Sequence, residues 1–446
     1  MFALVDCNNF YVSVERVFNP KLKNRPVIVL SNNDGCAISR SDEAKALGIQ
    51  MAQPAFYIKD IIEKHKVAVC SSNYTLYGDM SRRVMETLRE FVPRIEEYSI
   101  DEAFLDLSEL RYQNLTELAT EIRGTVLQAT GIPTCIGIAP TKTLAKMANR
   151  YAKKVKKEVG VHSITTKEEI EQVLKFTAIE EVWNIGAQYA KKLQAVGVNT
   201  AFDLLQLSDD WMRHHMTVQG QRLLNELKGI SCIPLEEKPA AKKNICTSRS
   251  FGVLLTELKD IKEAVANHAG RCAEKLRRQQ TCASSVHVFL ETNRFREQDQ
   301  QYYSSLTIPL PVATNNTQEI MLYVFFALNR IYQQGYNYKK VGVIVQDIVP
   351  ENEVQQGLFD SRPRVKENYV IEAVDRINRS YGKDLVKYAV MGNGRKWKLW
   401  QEKLSPCYTT RLSDILTIQN YYWGPNLVRF FRKVPYEEAR CKELTS

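Results

Sequence analysis

The sequence predicts an α+β chain of several domains, and three observations lead there. Its 446 residues exceed what a single hydrophobic core usually serves. Apolar runs that read as buried strands, at residues 2–5 and 26–31, alternate with stripes at helical spacing such as Met80, Val84, Leu88 and Phe91. After a charged, proline-bearing stretch at 234–244, a strand-helix-strand pattern occurs twice in succession.

The first strand ends in Asp6. Phe10, Val14, Val17 and Phe18 then recur at helical spacing, with Asn8 or Asn9 as cap and Asn19-Pro20 as stop. Tyr11 falls in the first turn, beside Asp6, where N–H groups also suit a phosphate. A core or surface aromatic is the plainer role for it. PVIVLS reads as a strand, NNDGC as a turn, and ISRSDEAKALGI as a helix with Arg40 and Lys45 near its beginning.

Near residue 100, EYSIDEAFLDL alternates apolar and polar residues and is broken by Asp101 and Glu102. Strand ends carrying Asp6, Asp101 and Glu102 could gather three acids around one point. Two divalent cations held roughly 3.5–4 Å apart need such bridging carboxylates to offset their repulsion. A solvated strand-end Asp and an ordinary acidic turn satisfy the same spacing.

GIPTCIGIA reads as a turn and strand. In the helix TKTLAKMANRYAKK that follows, Leu144, Met147, Ala148 and Tyr151 share a core face, and Lys142, Lys146 and Lys153 share another. Such a basic face is commonly solvated, but this one adjoins a candidate phosphate site. Thr177 to Glu180 has the capping-box pattern, followed by an Asn184-Ile185-Gly186 turn and a helix ending near Gly197. A helical hairpin of this kind either packs plainly or grips a DNA phosphate through its turn amides.

Beyond the linker, the strand signals ICTSRSF, SSVHVFL, SSLTIPL and VGVIVQDI, with helices near 256–279 and 317–334, give the β-α-β-β-α-β order of a split-βαβ domain. Arg249, Arg271, Lys275, Arg277 and Arg278 form a basic patch there, each one a candidate for plain solvation. VQQGLFD at 354–360 sets Leu358 and Phe359 in a polar linker, as a segment docking into an apolar groove would. A helix is predicted around 369–380. Lys396, Trp397, Lys398 and Trp400 then interleave charge and rings, for base stacking or for amphipathic packing.

The net charge of +10 favours a polyanionic partner, a bias shared by ribosomal, membrane-surface and nucleotide-handling proteins. Ten cysteines without a CxxC pair or a His-Cys cluster read as free thiols in a reducing cytosol. Asp6 interrupts the opening apolar run and no long apolar span follows, so the expectation is a cytoplasmic protein with no membrane partner.

Asp6 with the following NNFY, NNDGCAISRSDEAKALG, SSNYTLYGDMS, SIDEAF, SRSFG at 248–252 and LSPCYTTRLSDIL resemble, as an ordered set, the Y-family translesion DNA polymerases. The likeness is strongest to the UmuC-type catalytic subunits of bacterial DNA polymerase V. The resemblance implies a right-hand polymerase: palm at 1–25 and 75–165, small fingers at 26–74, and a helical thumb with a helix-hairpin-helix at 166–235. It further implies a linker at 236–243, a split-βαβ little finger at 244–350, a clamp-binding linker at 351–363 and a C-terminal extension at 364–446.

By the same resemblance, Asp6, Asp101, Glu102 and the Cys7 main-chain carbonyl match ligands of two Mg2+ ions, with Mn2+ as a substitute. Tyr11 matches a sugar gate that crowds a ribose 2′-hydroxyl. Phe10, Cys36, Ile38, Ser39, Arg40, Lys45 and Lys153 fall where relatives meet the incoming nucleotide. Asn184, Ile185, Gly186 and Arg249 fall where they meet DNA. Gln355, Leu358 and Phe359 match the anchors of a sliding-clamp (beta-subunit) peptide. Implied partners are primer-template DNA, dNTP, the clamp, a cleaved UmuD-like dimer and RecA. Where many members carry Tyr, this chain has Asn9 and Asp42, and where they carry Arg it has Lys45, a point charge without the bidentate fork.

The implied activity is error-prone, template-directed synthesis past lesions in the SOS response. Two other readings stand beside it: a catalytically weak DNA-binding assembly protein that keeps the polymerase fold, and another palm-type nucleotide enzyme such as a cyclase.

Overall fold

The computed structural model describes residues 1–417 apart from 111–113, 239, 356, 358, 359, 361, 383, 394–396 and 398. The N-terminal part runs β1 (Phe2–Cys7), α1 (Phe10–Phe18), β2 (Val27–Leu30), β3 (Ala37–Arg40), α2 (Asp42–Ala46), α3 (Lys59–Lys64), β4 (Ala68–Ser71) and α4 (Tyr74–Arg89). It continues with β5 (Ile95–Glu97), β6 (Glu102–Asp106), α5 (Leu115–Thr130), β7 (Thr134–Ala139), α6 (Lys142–Lys154) and β8 (Val161–Ser163). Helices α7 (Lys167–Phe176), α8 (Ala187–Gln194), α9 (Ala201–Leu204) and α10 (Asp209–Leu227) follow. The remainder is β9 (Ile245–Leu255), α11 (Leu258–Arg278), β10 (Thr281–Thr292), β11 (Tyr303–Thr314), α12 (Thr317–Ile331), β12 (Tyr338–Pro350) and α13 (Arg364–Ser380).

β1 is buried almost throughout, and a strand of that kind needs a partner on each edge. It lies at the centre of a five-stranded sheet, β5-β6-β1-β7-β8, antiparallel to both β6 and β7. Helix α6 packs across β1 and β7 at very short range. A Cβ on Gly137 would lie 2.0 Å from the Asn149 amide nitrogen and 2.4 Å from the Ala145 carbonyl oxygen. The Asn149 side chain donates to the Cys135 carbonyl at 2.7 Å and to the Leu4 carbonyl at 3.2 Å, tying α6 to both strands.

Residues 26–71 form a three-stranded sheet, β3-β2-β4, in which β2 pairs antiparallel with β3 and parallel with β4. Here the expected helix beginning near Ile38 is corrected. Ala37–Arg40 is a strand because Ala37 and Ser39 bury alternately against β2. The helix starts only after Ser41, whose hydroxyl accepts from the Ala44 N–H at 3.2 Å. Arg40 therefore ends a strand, and Lys45 sits inside a short helix.

A second correction concerns Thr177. It is the C-cap of α7, its hydroxyl donating to the Val173 carbonyl at 2.8 Å, and Ile179–Glu181 is a 3-10 turn. The capping boxes of this region are Thr166 with Glu169 and Thr200 with Asp203. The first arm of the expected helix-hairpin-helix is thus one tight turn.

The last sheet has the order β11-β10-β12-β9, with α11 and α12 packed on it around a core that includes Phe251, Leu276, Val288 and Tyr338. Trp397 is buried in this core, edge-on to His268 at 5.9 Å, so packing and not base stacking is its role; Trp400 is exposed. Met1–Ser405 form one compact unit, and beyond it Leu412–Asp414 is a 3-10 turn. Among the described residues the nine cysteines are free thiols, and no helix is long and apolar enough to cross a membrane.

The approach of α6 to β7 leaves no room for a methyl group, because the obstructing atoms are backbone. Gly137→Ala should destabilise the fold by about 3 kcal/mol, read as a fall in the urea midpoint of unfolding. An unchanged midpoint would show that α6 can move away from the sheet at no cost.

Candidate active site

Asp6 and Glu102 face each other across the paired strands β1 and β6. Asp101 lies in the turn just before β6, its carbonyl accepting from the Cys7 N–H at 2.9 Å. Ser99 shapes that turn: its hydroxyl accepts from the Asp101 and Glu102 N–H groups at 3.2 and 3.1 Å and donates to the Asp101 carboxylate at 2.7 Å. The structure so brings Asp6, Asp101 and Glu102 to one end of the sheet.

Like charges crowded in a partly buried place require compensation. Burial pushes the Asp6 carboxyl up to about 6; the Lys153 ammonium opposes this, and the charges of Glu102 and Asp101 add to it. Lys153 Nζ lies 2.5 Å from Asp6, and Lys146 Nζ 3.1 Å from both oxygens of Glu102. Both lysines come from α6, two helical turns apart, so one helix neutralises two strands. Lys146 is held over the Tyr98 ring at 4.4 Å, and the Trp183 indole N–H donates to the Tyr98 hydroxyl at 3.0 Å.

Among the described residues no three His, Cys, Asp or Glu side chains stand together as a ready metal cluster. The donor set nevertheless fits a hard divalent cation: it consists of carboxylate oxygens, burial first and their mutual repulsion after it raise the Asp6 pKa, and cationic groups already sit beside them. The Cys7 thiol has no part in this. Burial first, then Asp6 and Asp101, push it well above its ordinary range.

Asn9, in the left-handed conformation at φ 47°, turns the chain from β1 into α1. Tyr11 follows in the first turn. Its ring stacks on Tyr77 with centroids 4.5 Å apart and planes at 16°, and Tyr74 meets it edge-on at 5.9 Å. Burial, with Tyr74 and Asp101 adding, pushes the Tyr11 phenol up to about 12, so it stays neutral. Phe10 is buried, a packing side chain.

The residues expected at a triphosphate separate into two groups. Asn9, Asp42 and Lys45 form one cluster, with Lys45 Nζ 2.6 Å from the Asn9 side-chain oxygen and 3.0 Å from Asp42. Lys157, which the sequence reading did not single out, joins it at 2.9 Å from Asp42. Its signal was the charge run of Lys153, Lys154, Lys156 and Lys157. Burial raises the Asp42 pKa, but hydrogen bonds from Lys157, Lys45 and Asn9 outweigh it and hold the carboxyl well below the usual range. Ser39 and Arg40 lie apart from this cluster: Ser39 Oγ accepts from the Val12 N–H at 3.4 Å, and Arg40 donates to the Ile49 carbonyl at 2.8 Å. Cys36 and Ile38 are half-buried at the start of β3.

Of the expected DNA contacts, Asn184 has a φ of 70°, Ile185 is buried, Gly186 precedes α8, and Arg249 is exposed on β9. The basic patch on α11 is largely engaged within the protein. Arg277 makes paired bonds to Asp375 of α13 at 2.7 and 2.8 Å, Arg271 pairs with Glu274 and Asp384, and Arg278 with Glu274. Gln355 is exposed, while Leu358 and Phe359 lie outside the described residues, as do Lys396 and Lys398.

The chain matches the impB/mucB/samB family over residues 5–150 and that family's C-terminal domain over 242–358. Residues 369–418 match a domain of unknown function, DUF4113. It is 42% identical over 422 residues to Protein UmuC of Salmonella typhimurium strain LT2, covering 94% of this chain and 100% of that one. Protein ImpB of Salmonella typhimurium is likewise 42% identical, over 93% of this chain and 99% of its own. DNA polymerase IV 1 of Bacillus subtilis is 25% identical over 86% and 91%. In structure, a Y-family DNA polymerase chimera of Dbh and Dpo4 superposes with a TM-score of 0.61 at 23% identity, covering 78% of this chain and all of that one. The insertion ternary complex of Dbh DNA polymerase gives 0.53 at 22% identity, with the same coverage. The fold is the mixed α/β Y-family polymerase fold with a C-terminal extension.

The third lysine of the expected basic face, Lys142, is not at these carboxylates. Lys142 is buried, its Nζ 2.6 Å from Glu96, which also accepts the Glu236 N–H at 2.7 Å. Lys142→Ala strands a buried carboxylate and should cost about 3–5 kcal/mol in chemical denaturation. Adding Glu96→Ala should recover a large part of that loss, and a double variant no more stable than the single one would argue against the pairing.

Proposed function

This chain belongs to the impB/mucB/samB family and is a DNA-directed DNA polymerase of the translesion type, and from that premise we propose that it joins dNTPs to a primer 3′-hydroxyl by two-metal nucleotidyl transfer in the SOS response to DNA damage. The observation that carries this reading is Asp6 facing Glu102 on paired strands, each carboxylate met by a lysine of α6, with Tyr11 in the next helical turn. Asp6, Asp101, Glu102 and the Cys7 carbonyl would hold two Mg2+ ions, or Mn2+ in their place. When bound, the ions supply a lower pKa for the 3′-hydroxyl and charge neutralisation for the leaving pyrophosphate.

The protein's own residues do the positioning. Lys153 offers positive charge beside Asp6, and Lys45 and Lys157 offer it around Asp42, so a triphosphate would be gripped by ammonium groups rather than by a guanidinium fork. Tyr11 presents a neutral ring, braced by Tyr77, against the nucleotide's sugar. Non-specific phosphate contacts at Asn184, Ile185, Gly186 and Arg249 would hold primer-template DNA without reading its sequence. The segment with Gln355, Leu358 and Phe359 is the proposed anchor for the sliding clamp. A cleaved UmuD-like dimer and RecA are the further proposed partners.

Primer extension with Mg2+ and dNTPs on damaged and undamaged templates tests the reading. Asp101→Ala should lower extension about 1,000-fold, since a metal clamp supplies several kcal/mol, while DNA affinity stays within about twofold. DNA binding by the unaltered chain without Mg2+-dependent extension would favour the assembly protein, and a cyclised nucleotide product the cyclase.

Asp42 competes with the triphosphate for two lysines. Asp42→Asn should therefore lower the KM for dNTP about fivefold at low salt and about twofold near physiological salt, where screening is stronger. An unchanged KM in single-nucleotide insertion would remove Lys45 and Lys157 from the triphosphate grip.

A further inference from the structure

Trp400 to Ser405 lie along residues 33–34 and 71–73, in the loop before β3 and at the end of β4. The Trp400 N–H donates to the Asn33 side-chain oxygen at 2.9 Å, and the Glu402 N–H to Asp34 at 3.1 Å. Ser71 donates its N–H to the Lys403 carbonyl at 2.9 Å and pairs with Leu404 as a parallel bridge beside β4. The Gln401 side chain donates to the Ser72 carbonyl at 2.8 Å, and the Asn73 side chain to the Ser405 carbonyl at 2.8 Å. Since Asn73 also caps α4 through the Leu76 N–H at 3.2 Å, this segment is fastened to the start of the helix that carries Tyr74 and Tyr77.

From Ser405 a short relay leads to the candidate gate. The Ser405 hydroxyl donates to Glu15 at 2.9 Å, and the Tyr77 hydroxyl donates to the same carboxylate oxygen at 2.6 Å. Glu15 is only 3% exposed, so these two bonds carry much of the solvation that burial removes. Tyr77, fixed at its hydroxyl, stacks on the Tyr11 ring. Glu15 and Tyr11 are four residues apart on one face of α1, so a change at Glu15 reaches the gate along the helix as well as through the ring.

We propose that residues 400–405 position the sugar gate: Ser405, through Glu15 and Tyr77, sets the ring of Tyr11 and so tunes discrimination between deoxyribonucleotides and ribonucleotides. This rests on the reading of Tyr11 as the gate. Ser405, Glu15 and Tyr77 are positioning residues that act through the ring of Tyr11. Loss of one hydrogen bond to a buried carboxylate alters ring placement, not the carboxylates that perform the chemistry. Its effect belongs in the KM for a ribonucleotide, with the kcat for the deoxyribonucleotide preserved.

The full-length chain is assayed for insertion of dATP and ATP opposite an undamaged template T, with kcat and KM resolved. Tyr11→Ala tests the gate itself and should raise the ratio of ATP to dATP efficiency about 100-fold. Ser405→Ala, and Tyr77→Phe, which keeps the stacking ring, should each raise that ratio about tenfold through KM for ATP. Ser405→Thr, which keeps the hydroxyl, should restore it. An unmoved ratio in Tyr11→Ala overturns the gate reading and the inference with it. A raised ratio in Tyr11→Ala, with Ser405→Ala and Tyr77→Phe both at the unaltered value, overturns the inference alone.

Discussion

Helix α6 lies against β7 so closely that Gly137 has backbone atoms where any other residue would have its Cβ, and Asn149 hydrogen-bonds the strands on either side of that contact. The position of one helix relative to two strands is thereby set to a fraction of an ångström. Along its length α6 then delivers Lys142 to Glu96, Lys146 to Glu102 and Lys153 to Asp6. The charge balance of the carboxylate end depends on that register. If α6 rotated or slid by a residue, the lysines would leave the acids and the acids would repel one another unopposed.

The three lysines show how one sequence feature has three physical meanings. Lys142 is desolvated and structural, joining the residues after α10 to the edge strand through Glu96. Lys146 is caged by the Tyr98 and Trp183 rings and restrains a carboxylate. Lys153, partly open to solvent, pairs with Asp6, and it is this lysine that we propose turns to the triphosphate. Burial decides among these roles, because an ammonium without water must be paired, whereas an exposed one keeps its freedom.

The basic patch of α11 follows the same logic with another outcome. Arg277 is held in a planar bidentate contact with Asp375 and also donates to the Asn315 carbonyl, so it fastens α13 to the split-βαβ sheet. A guanidinium so engaged has little left for a nucleic-acid backbone. The C-terminal helix thus occupies surface that charge counting alone would assign to DNA.

Much of the fold was legible in local pattern. The β-α-β-β-α-β order, the bounds of α1 and the acids at the strand ends follow from apolar periodicity, turn residues and the position of Asp6, Asp101 and Glu102. These are near-neighbour properties that survive without tertiary context. Where local pattern misled, long-range partners had overridden it: residues 37–40 became a strand because β2 offered them hydrogen bonds, and Trp397 entered a core that the sequence around it does not contain. Glu15 gave no signal beyond being an acid on a helix, since its meaning lies in Tyr77 and Ser405, 62 and 390 residues away. Sequence by itself determined the elements and the kinds of chemical group available. Tertiary structure alone decided which charges are paired, which rings are braced and which lysines remain available, because those outcomes depend on burial and on contacts between residues far apart in the chain.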